Sequence, residues 1–357
     1  MKTLDKYIIK KFLTSFLFVV FIVVLIIVVI DITEKINNFT DDKVPTVRIL
    51  EYYMNFVPWI ANLISPITVF IATVFVTANM ASHSEIVAIL ASGVSFRRML
   101  APYLAGAIII GLVSFYFNGW VIPAANKNRR SFEIEFIEAK YYFNKNNFHI
   151  QVSPNEYLYM SRYNNQTNRG YQFTIEKVEG TKLVEKLSAN QIDWLPDSRQ
   201  WLLRKWQKRV ITDSTEVVTL GDSLILNLVI LPKDFQSQHR LWETLTLPEL
   251  NEKVAELNFR GLEGSEIYEV EKYFRYTMPF TVIVLVFIGV IVSSRKTRGG
   301  TGLQIALGFI ISFIFIIFVI TSRGIAEGGL INPAFAVWIP NIVFSGVGLF
   351  MYRYVPR

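Results

Sequence analysis

Six long uncharged stretches dominate the sequence, three before and three after a polar block of about 150 residues. Each stretch reaches the roughly 20 apolar residues that a helix needs to cross the hydrocarbon core of a bilayer. The pattern therefore predicts an integral membrane protein with a three-plus-three layout and one inserted domain. The stretches are residues 12–30, 52–82, 99–126, 276–294, 299–322 and 328–352.

The net charge of +7 comes from the segments that flank the spans, because the block between 127 and 275 holds 21 basic and 21 acidic residues. By the positive-inside rule, the basic clusters lie in the cytoplasm, which places both termini inside and the inserted domain outside. We therefore expect no nucleic-acid partner. The clusters are formed by Lys2, Lys6, Lys10, Lys11, Arg97, Arg98, Arg295, Lys296, Arg298, Arg353 and Arg357.

The polar block is predicted as β structure up to about residue 235, because short β-branched and aromatic runs alternate with turn signals. Many short strands with frequent turns are typical of a sandwich or jelly-roll. The predicted strands are 148–152, 156–162, 171–176, 191–195, 200–206, 215–220 and 224–231. The predicted turns are at 164–165, 169–170, 179–180, 196–197 and 221–222.

The last predicted strand, 224–231, is apolar on both faces, although a strand that faces water on one side alternates. Two interpretations remain open at this point. It is either a central strand covered by a second sheet and by linker segments, or one face lines a groove for lipid tails. Leu226 and Leu228 are the candidate groove residues.

A short amphipathic helix is predicted after the strands. Thr246 and Glu249 have the spacing of a capping box, and four apolar residues recur at helical spacing. This helix either packs on the β domain or transmits force to the fourth span. The apolar residues are Leu247, Leu250, Val254 and Leu257.

A second short helix is predicted at about 83–98, between the second and third spans. Ser82 and Glu85 have the spacing of a capping box, and Gly93 is placed to end the helix. Its apolar residues lie outside the membrane, so it is either an interfacial helix on lipid or a coupling helix that docks on a cytoplasmic ATPase. These residues are Ile86, Val87, Ile89 and Leu90.

Any ATP must be bound by such a partner, because the chain contains no GxxxxGK[ST] pattern. We therefore expect no cofactor in this chain. An enzyme is disfavoured because its three histidines have no HExxH spacing and there is no GxSxG turn. A proton- or sodium-driven transporter is disfavoured as well, because all six stretches lack Asp, Glu, Lys and Arg.

Together these features resemble the LptF/LptG permeases of the lipopolysaccharide exporter. The resemblance covers essentially the whole chain, including the three-plus-three layout, the β domain and the helix near Thr246. The residues that carry it are LDKYI at 4–8, SEIVA at 84–88, ASGV at 91–94 and WVIP at 120–123. Asp31 and Gln304 depart from the family pattern, since a basic residue is often found at the first position and one of the two paired permeases has an arginine at the second.

The resemblance implies an α-helical protein of the bacterial inner membrane with six transmembrane helices and an inserted, all-β, jelly-roll-like periplasmic domain. The expected domains are spans one to three at 1–126, the jelly-roll at 127–242, the linker at 243–271 and spans four to six at 272–357. The implied partners are a second LptF/LptG permease, an LptB-like ATPase dimer, LptC- and LptA-like jelly-roll proteins, and lipopolysaccharide.

The resemblance also implies two groups of functional residues. The loop helix would meet the ATPase through Glu85, Ile86, Ile89, Leu90 and Arg97. Lipopolysaccharide carries phosphates and acyl chains, so its cavity, lined mainly by the first and fifth spans, would pair outer-side cations with apolar faces. The cations are Lys35, Arg130, Lys272, Arg275 and Arg323, with Lys127 and Arg129 nearby, although each is equally explained as a snorkelling anchor.

A function from another class stays open beside this one. The chain is alternatively a non-transporting envelope sensor or scaffold, whose β domain binds a ligand while the loop helix docks a cytoplasmic partner. Co-purification with an ATPase and lipid-stimulated ATP hydrolysis distinguish the two.

Overall fold

The computed structural model describes residues 3–41, 44–137, 146–212, 215–228, 230–232, 240–259, 264–294 and 300–353. Five of the predicted basic residues lie outside these ranges, namely Lys2, Arg295, Lys296, Arg298 and Arg357. The chain forms two compact units. The first comprises Met1–Glu138, Trp242–Asn251 and Glu266–Arg357, and the second comprises Ala139–Leu241 and Glu252–Ser265.

The first unit is helical, and six of its described helices are long and apolar enough to cross a membrane, which confirms the six predicted spans. The chain begins with α1 (Thr3–Asp41), α2 (Thr46–Leu63), α3 (Ser65–Ser82), α4 (Glu85–Ala91) and α5 (Phe96–Tyr116). A π-helical segment, Phe117–Val121, joins α5 to α6 (Ile122–Phe136). The helices that follow the strands are α7 (Leu247–Phe259), which belongs partly to each unit, α8 (Ser265–Ser293), α9 (Gly300–Glu327) and α10 (Pro333–Tyr352).

The predicted second span, 52–82, is two helices and not one. Its apolar crossing helix is α3, whereas α2 is an amphipathic helix that buries Tyr52, Phe56 and Ile60. The break lies at Ile64, two residues before Pro66. Proline has no N–H to donate to the preceding turn and disfavours helical geometry in the residue before it, so α3 begins where Pro66 fits the first turn.

The spans differ greatly in how much of their surface the unit itself covers. In the most apolar window of each helix, 67% of the residues of α3 and 61% of those of α8 are buried, against 6% for α1 and 22% for α9. Helix α3 packs against both α1 and α9. The centre of the unit is therefore built on α3 and α8, while α1 and α9 present long apolar faces outward.

The second unit contains one antiparallel sheet of six strands that pair in chain order. The inserted all-β domain is thus confirmed, and its strand order is that of a meander, whereas a jelly-roll in the strict sense has Greek-key connections. The strands are β1 (Asn146–Ser153), β2 (Glu156–Asn164), β3 (Arg169–Glu179), β4 (Lys182–Leu195), β5 (Gln200–Ile211) and β6 (Glu216–Leu226).

Two predicted turns are wrong, because Gly170 lies inside β3 and Gly221 lies inside β6. A Cβ on Gly221 would lie 2.6 Å from the indole of Trp206, and one on Gly170 would lie 2.6 Å from Ile192. Each glycine therefore marks a place where a neighbouring side chain covers the backbone, and not a reversal of the chain. Consequently residues of the two predicted strands, 215–220 and 224–231, form a single strand, β6, which ends at Leu226.

A row of six polar residues crosses the sheet, one from each strand, in register with one another. In β4 the buried apolar side chains are Leu187 and Ala189 before the row and Ile192 after it, so the alternation of inward and outward residues shifts by one position at the row. Three of the six, on alternate strands, have left-handed φ values of 50° to 52°. We call this the corner row: Asn147, Ser161, Gln172, Asn190, Lys205 and Asp222.

The corner row lets the sheet bend while its apolar side chains stay on one face. The rings of Tyr163 on β2 and Trp201 on β5 lie 6.3 Å apart, although three strand spacings in a flat sheet come to roughly 14 Å. The sheet therefore curls around its own core. Leu226 and Leu228 pack against this core, whereas Ile225 points away and is 53% exposed.

An ion cluster ties β4 to its neighbours at Asp193. The carboxylate accepts hydrogen bonds from Arg169 and Arg204, each at 2.6 Å, and from Gln191 at 2.8 Å. Burial opposes the charged form, but these three partners outweigh it and hold the pKa of Asp193 below its usual range.

Asp193→Asn should reduce the stability of the β unit by about 1–3 kcal/mol, because hydrogen bonds to a charged group are lost. Since the folded pKa is depressed, the contribution of Asp193 is present above about pH 4 and is lost as pH falls through the folded pKa. Hydrogen–deuterium exchange on the full-length protein measures both effects. The exposed Arg209–Glu216 pair is the control, and an equal effect of Glu216→Gln would contradict the prediction.

Candidate functional site

The loop helix α4 begins at Glu85 and not at a Ser82 cap. Ser82 Oγ donates to the Asn79 carbonyl at 2.8 Å, and Ser84, at φ 62°, directly precedes the helix. The predicted Ser82–Glu85 capping box is therefore wrong. The predicted end is right, since α4 stops at Ala91 and Gly93 follows with φ 84°.

The carboxylate of Glu85 is held by two side chains of α1. Tyr7 Oη donates to it at 2.9 Å and Lys11 Nζ donates to it at 3.1 Å. Lys11 Nζ also donates to Tyr7 Oη at 3.0 Å, so the three groups close a triangle. Sequence reasoning missed Tyr7 and Lys11, although their four-residue spacing on a helix places them on one face.

The four remaining residues of the predicted ATPase contact lie in different surroundings. Ile86 is 3% exposed and belongs to the core that also contains Ile8 and Phe12. Ile89 and Leu90 pack partly against the same core, and Arg97 is exposed. The outward face of α4 consists instead of Val87, which is 59% exposed, with Ala88 and Ala91.

The predicted cations near the opposite ends of the spans are bound by side chains of this chain. Lys35 on α1 donates to Asp31 and to Tyr52 Oη, both at 2.6 Å, and Asp31 also accepts from Tyr53 at 2.9 Å. Asp31, one of the two departures from the family pattern, thus joins α1 to α2 beside its neighbour Lys35.

Helix α6 places Arg129 and Arg130 around one buried carboxylate. Arg130 donates to Glu133 at 2.5 Å, while Arg129 donates to Glu133 at 2.7 Å and to Glu243 at 2.6 Å. The Arg129 guanidinium also lies 4.0 Å from the centre of the Trp59 ring. Both arginines are less than one-tenth exposed, so these contacts compensate charges that are largely removed from solvent.

A second buried carboxylate, Glu271 on α8, binds two more of the predicted cations. Arg275 donates to it at 2.9 Å, and Arg323 of α9 donates to it at 2.9 Å and to Glu327 at 2.7 Å. Arg275 is 2% exposed, whereas the Arg323 side chain is 26% exposed. Lys272, the fifth predicted cation, lies 5.3 Å from the centre of the Tyr273 ring.

A cleft of about 90 Å³ brings Arg275 and Arg323 together. The two carboxylates that hold neighbouring arginines, Glu243 and Glu271, lie in the same wall. Lys35 and Arg130 do not line the cleft, but a chain of hydrogen bonds through Tyr52, Glu133 and Arg129 links them to Glu243 in its wall. The cleft is therefore mixed in charge, and its lining includes Trp59, Asn118, Glu243, Glu271, Arg275 and Arg323.

The segment that leads into α7 is fixed to two spans. Asn126 donates to the Glu243 carbonyl at 2.9 Å, and Arg275 donates to the carbonyls of Leu245 at 2.6 Å and Trp242 at 3.0 Å. Leu247 packs against the π-helical segment, because a Cβ on Gly119 would lie only 3.1 Å from its Cδ1. Such π segments are rare and often occur at functional positions.

Thr246 and Glu249 bond at the start of α7 as the predicted capping box requires of the glutamate. The Thr246 backbone N–H donates to Glu249 at 2.7 Å and its hydroxyl donates at 2.8 Å. These bonds hold the pKa of Glu249 below its usual range, with burial opposing them. The helical stripe is confirmed, since all four apolar residues are buried: Leu247, Leu250, Val254 and Leu257.

Glu271→Gln should lower the free energy of unfolding by about 3–5 kcal/mol, because it leaves buried arginine charge without its carboxylate. The midpoint of thermal unfolding in detergent measures the loss. Glu135→Gln is the matched control, since its pair with Arg48 is about half exposed and such pairs contribute at most about 1 kcal/mol. Equal losses in the two variants would contradict a buried role for Glu271.

Comparison with known families accounts for this combination of spans, loop helix and β sheet. The sequence matches the family described as lipopolysaccharide export system permease LptF/LptG over residues 6–354. Comparison with curated proteins gives no match. The family match spans nearly the whole chain, and the six candidate membrane helices with an antiparallel sheet inserted between the third and fourth agree with it. The chain therefore belongs to the LptF/LptG family, the permeases of the lipopolysaccharide export system.

Proposed function

We propose that this permease subunit is driven by ATP hydrolysis in a separate cytoplasmic ATPase, extracts lipopolysaccharide from the inner membrane and passes it to a periplasmic bridge of β domains. The observation that carries the proposal is the outward face of α4. Its central residue, Val87, is 59% exposed on a helix that is too short to cross a membrane. An exposed apolar helix face of this kind suits a protein partner.

Charge supports the orientation in which α4 faces the cytoplasm. The residues at the same end of the unit as α4 are mostly basic, and the exposed ones accumulate around it. The N terminus, α4 and the end of α10 then lie in the cytoplasm, and the β unit lies in the periplasm. The exposed basic residues are Lys6, Lys10, Arg97 and Arg353.

The exposed faces of α1 and α9 support pairing with a second permease around a lipid cavity. On α1, exposed apolar side chains recur at intervals of four and three residues and form one stripe along the helix. Within the bilayer such a stripe suits both helix packing and acyl chains, as expected for a cavity lined by the first and fifth spans. The stripe consists of Phe18, Ile22, Leu25, Val29, Ile32 and Ile36.

The predicted lipid-binding cations divide into two groups by exposure. Arg130 and Arg275 are held by buried carboxylates and by carbonyls, so we propose that they shape the outer end of the spans. Arg323 and Lys272 keep part of their surface exposed, and Lys35 is 17% exposed. Arg323 is the best placed of the three for a lipid phosphate, because it lies in a cleft and on a span with an open face.

The curled sheet supports a role for the β unit as the first section of the bridge. Its apolar face, which includes Leu226 and Leu228, suits acyl chains. Its last strand also has exposed apolar residues, Val217 and Leu220, next to an unpaired edge among the described strands. Such an edge suits an added strand from an LptC- or LptA-like β domain.

Val87→Asp should release the ATPase from the permease complex, because a charge would be buried in an apolar contact. We expect at least about a tenfold loss of co-purified ATPase, which corresponds to about 1.4 kcal/mol. Val217→Asp is the matched control, since Val217 is also 59% exposed but lies on β6. Retention of the ATPase by Val87→Asp would contradict docking on α4 and would favour the sensor or scaffold alternative.

A photocrosslinking residue at Leu226 should form adducts with lipopolysaccharide in cells only when the ATPase is active. The same residue at Ile225 is the control, because the two positions are adjacent but point to opposite faces of the sheet. Immunoblotting for lipopolysaccharide detects the adducts. Equal adducts at both positions, or adducts that are independent of ATP hydrolysis, would contradict passage along the inner face.

A further inference from the structure

Helix α1 is buried at its base, is open along its apolar middle and is bonded to α2 near its other end. Ile8 and Phe12 are 0% exposed, whereas 6% of the most apolar part of the helix is buried. The Phe12 ring lies 5.7 Å from Tyr103 and fills the space where a side chain on Gly106 would lie. A movement imposed on the first three turns would therefore act on a helix whose apolar middle has few buried residues.

Polar contacts connect this base to both ends of the loop helix. At its start, Glu85 accepts hydrogen bonds from Tyr7 and Lys11. Beyond its end, Arg98, in the first turn of α5, donates to Asp5 at 2.7 Å. The base of α1 thus has a charged contact on each side of α4.

Helix α4 is also bounded by two residues with left-handed backbone geometry. Ser84 has φ 62° and Gly93 has φ 84°, so the direction of the chain changes sharply just before and just after the helix. The seven-residue helix between them is a separate short rod. Glu85 bonds it to α1, and Ile86 lies in the core that also contains Ile8 and Phe12.

We propose that Tyr7 and Lys11 are positioning residues that pass movement of α4 to the base of the first span. The proposal rests on the proposed function, because it takes α4 as the surface on which the ATPase docks. The outward face, with Val87, receives the partner, while Glu85 holds α1 from the other side. Docking and transmission therefore depend on different residues and can be separated experimentally.

The chemistry of the triangle suits this role. Packing of Ile86 resists compression, but it resists sliding weakly, because dispersion contacts have no fixed direction. The two charge-assisted hydrogen bonds on Glu85 do have a direction and fix α4 along the axis of α1. Lys11 and Glu85 are 25% and 31% exposed, so the ion pair is partly shielded from water and salt.

The test uses the full permease complex with its ATPase, reconstituted in proteoliposomes that contain lipopolysaccharide. Lys11→Gln removes the charge from the triangle and leaves Glu85 and Val87 in place. We expect normal co-purification of the ATPase but at least about a fivefold fall in lipopolysaccharide released per ATP hydrolysed, the lower end of typical coupling between sites. Tyr7→Phe should change the ratio in the same direction, and Lys11→Arg should restore most of it.

Lys10→Gln is the matched control, because it removes the same charge from the exposed neighbouring position. If Lys11→Gln released as much lipid per ATP as Lys10→Gln, the proposal would be overturned. Loss of the ATPase from the Lys11→Gln complex would also overturn it, because Lys11 would then serve docking. Failure of the wild-type chain to retain the ATPase would instead count against the proposed function.

Discussion

The carboxylate of Glu271 is the point at which three parts of the helical unit meet. It lies on α8, accepts a hydrogen bond from Arg323 of α9 and binds Arg275, whose other donors reach the carbonyls that lead into α7. A carboxylate buried this deeply is tolerated only because two arginines compensate it. The fourth span, the fifth span and the segment that leaves the β unit are thus fixed to one charged group.

The same principle applies to Glu133 on α6, a buried carboxylate that accepts hydrogen bonds from Arg129 and Arg130. Cations near the ends of spans are commonly explained as anchors that reach towards lipid headgroups. Here, four of the five predicted cations have carboxylate partners within the chain: Lys35, Arg130, Arg275 and Arg323. If an anionic lipid binds at these cations, as proposed, it meets charge that is already shared, and its affinity depends on exchange of partners.

The sequence predicted the elements whose physical cause is local. Runs of about 20 apolar residues have one stable arrangement in a bilayer, so the spans followed directly, and the Thr246–Glu249 cap followed from spacing alone. Errors arose where a distant neighbour decides the structure. Gly221 was interpreted as a turn because the sequence does not reveal that Trp206 lies over it. Glu85 was paired with Ser82, whereas its partners in the structure come from α1. The triangle joins Glu85 to Tyr7 and Lys11, which lie 78 and 74 positions earlier in the chain, so the sequence did not reveal that these side chains meet.

The corner row has a consequence for how the sheet is extended. Its six residues stand in register and share a polar character, and the bend continues across the sheet only if each strand turns at the same height. A strand added beside β6 must therefore place its own break in alternation opposite Asp222, or the shared apolar lining would be interrupted at the seam. A neighbouring β domain that added a strand to this edge would therefore be restricted to one register by the corner row.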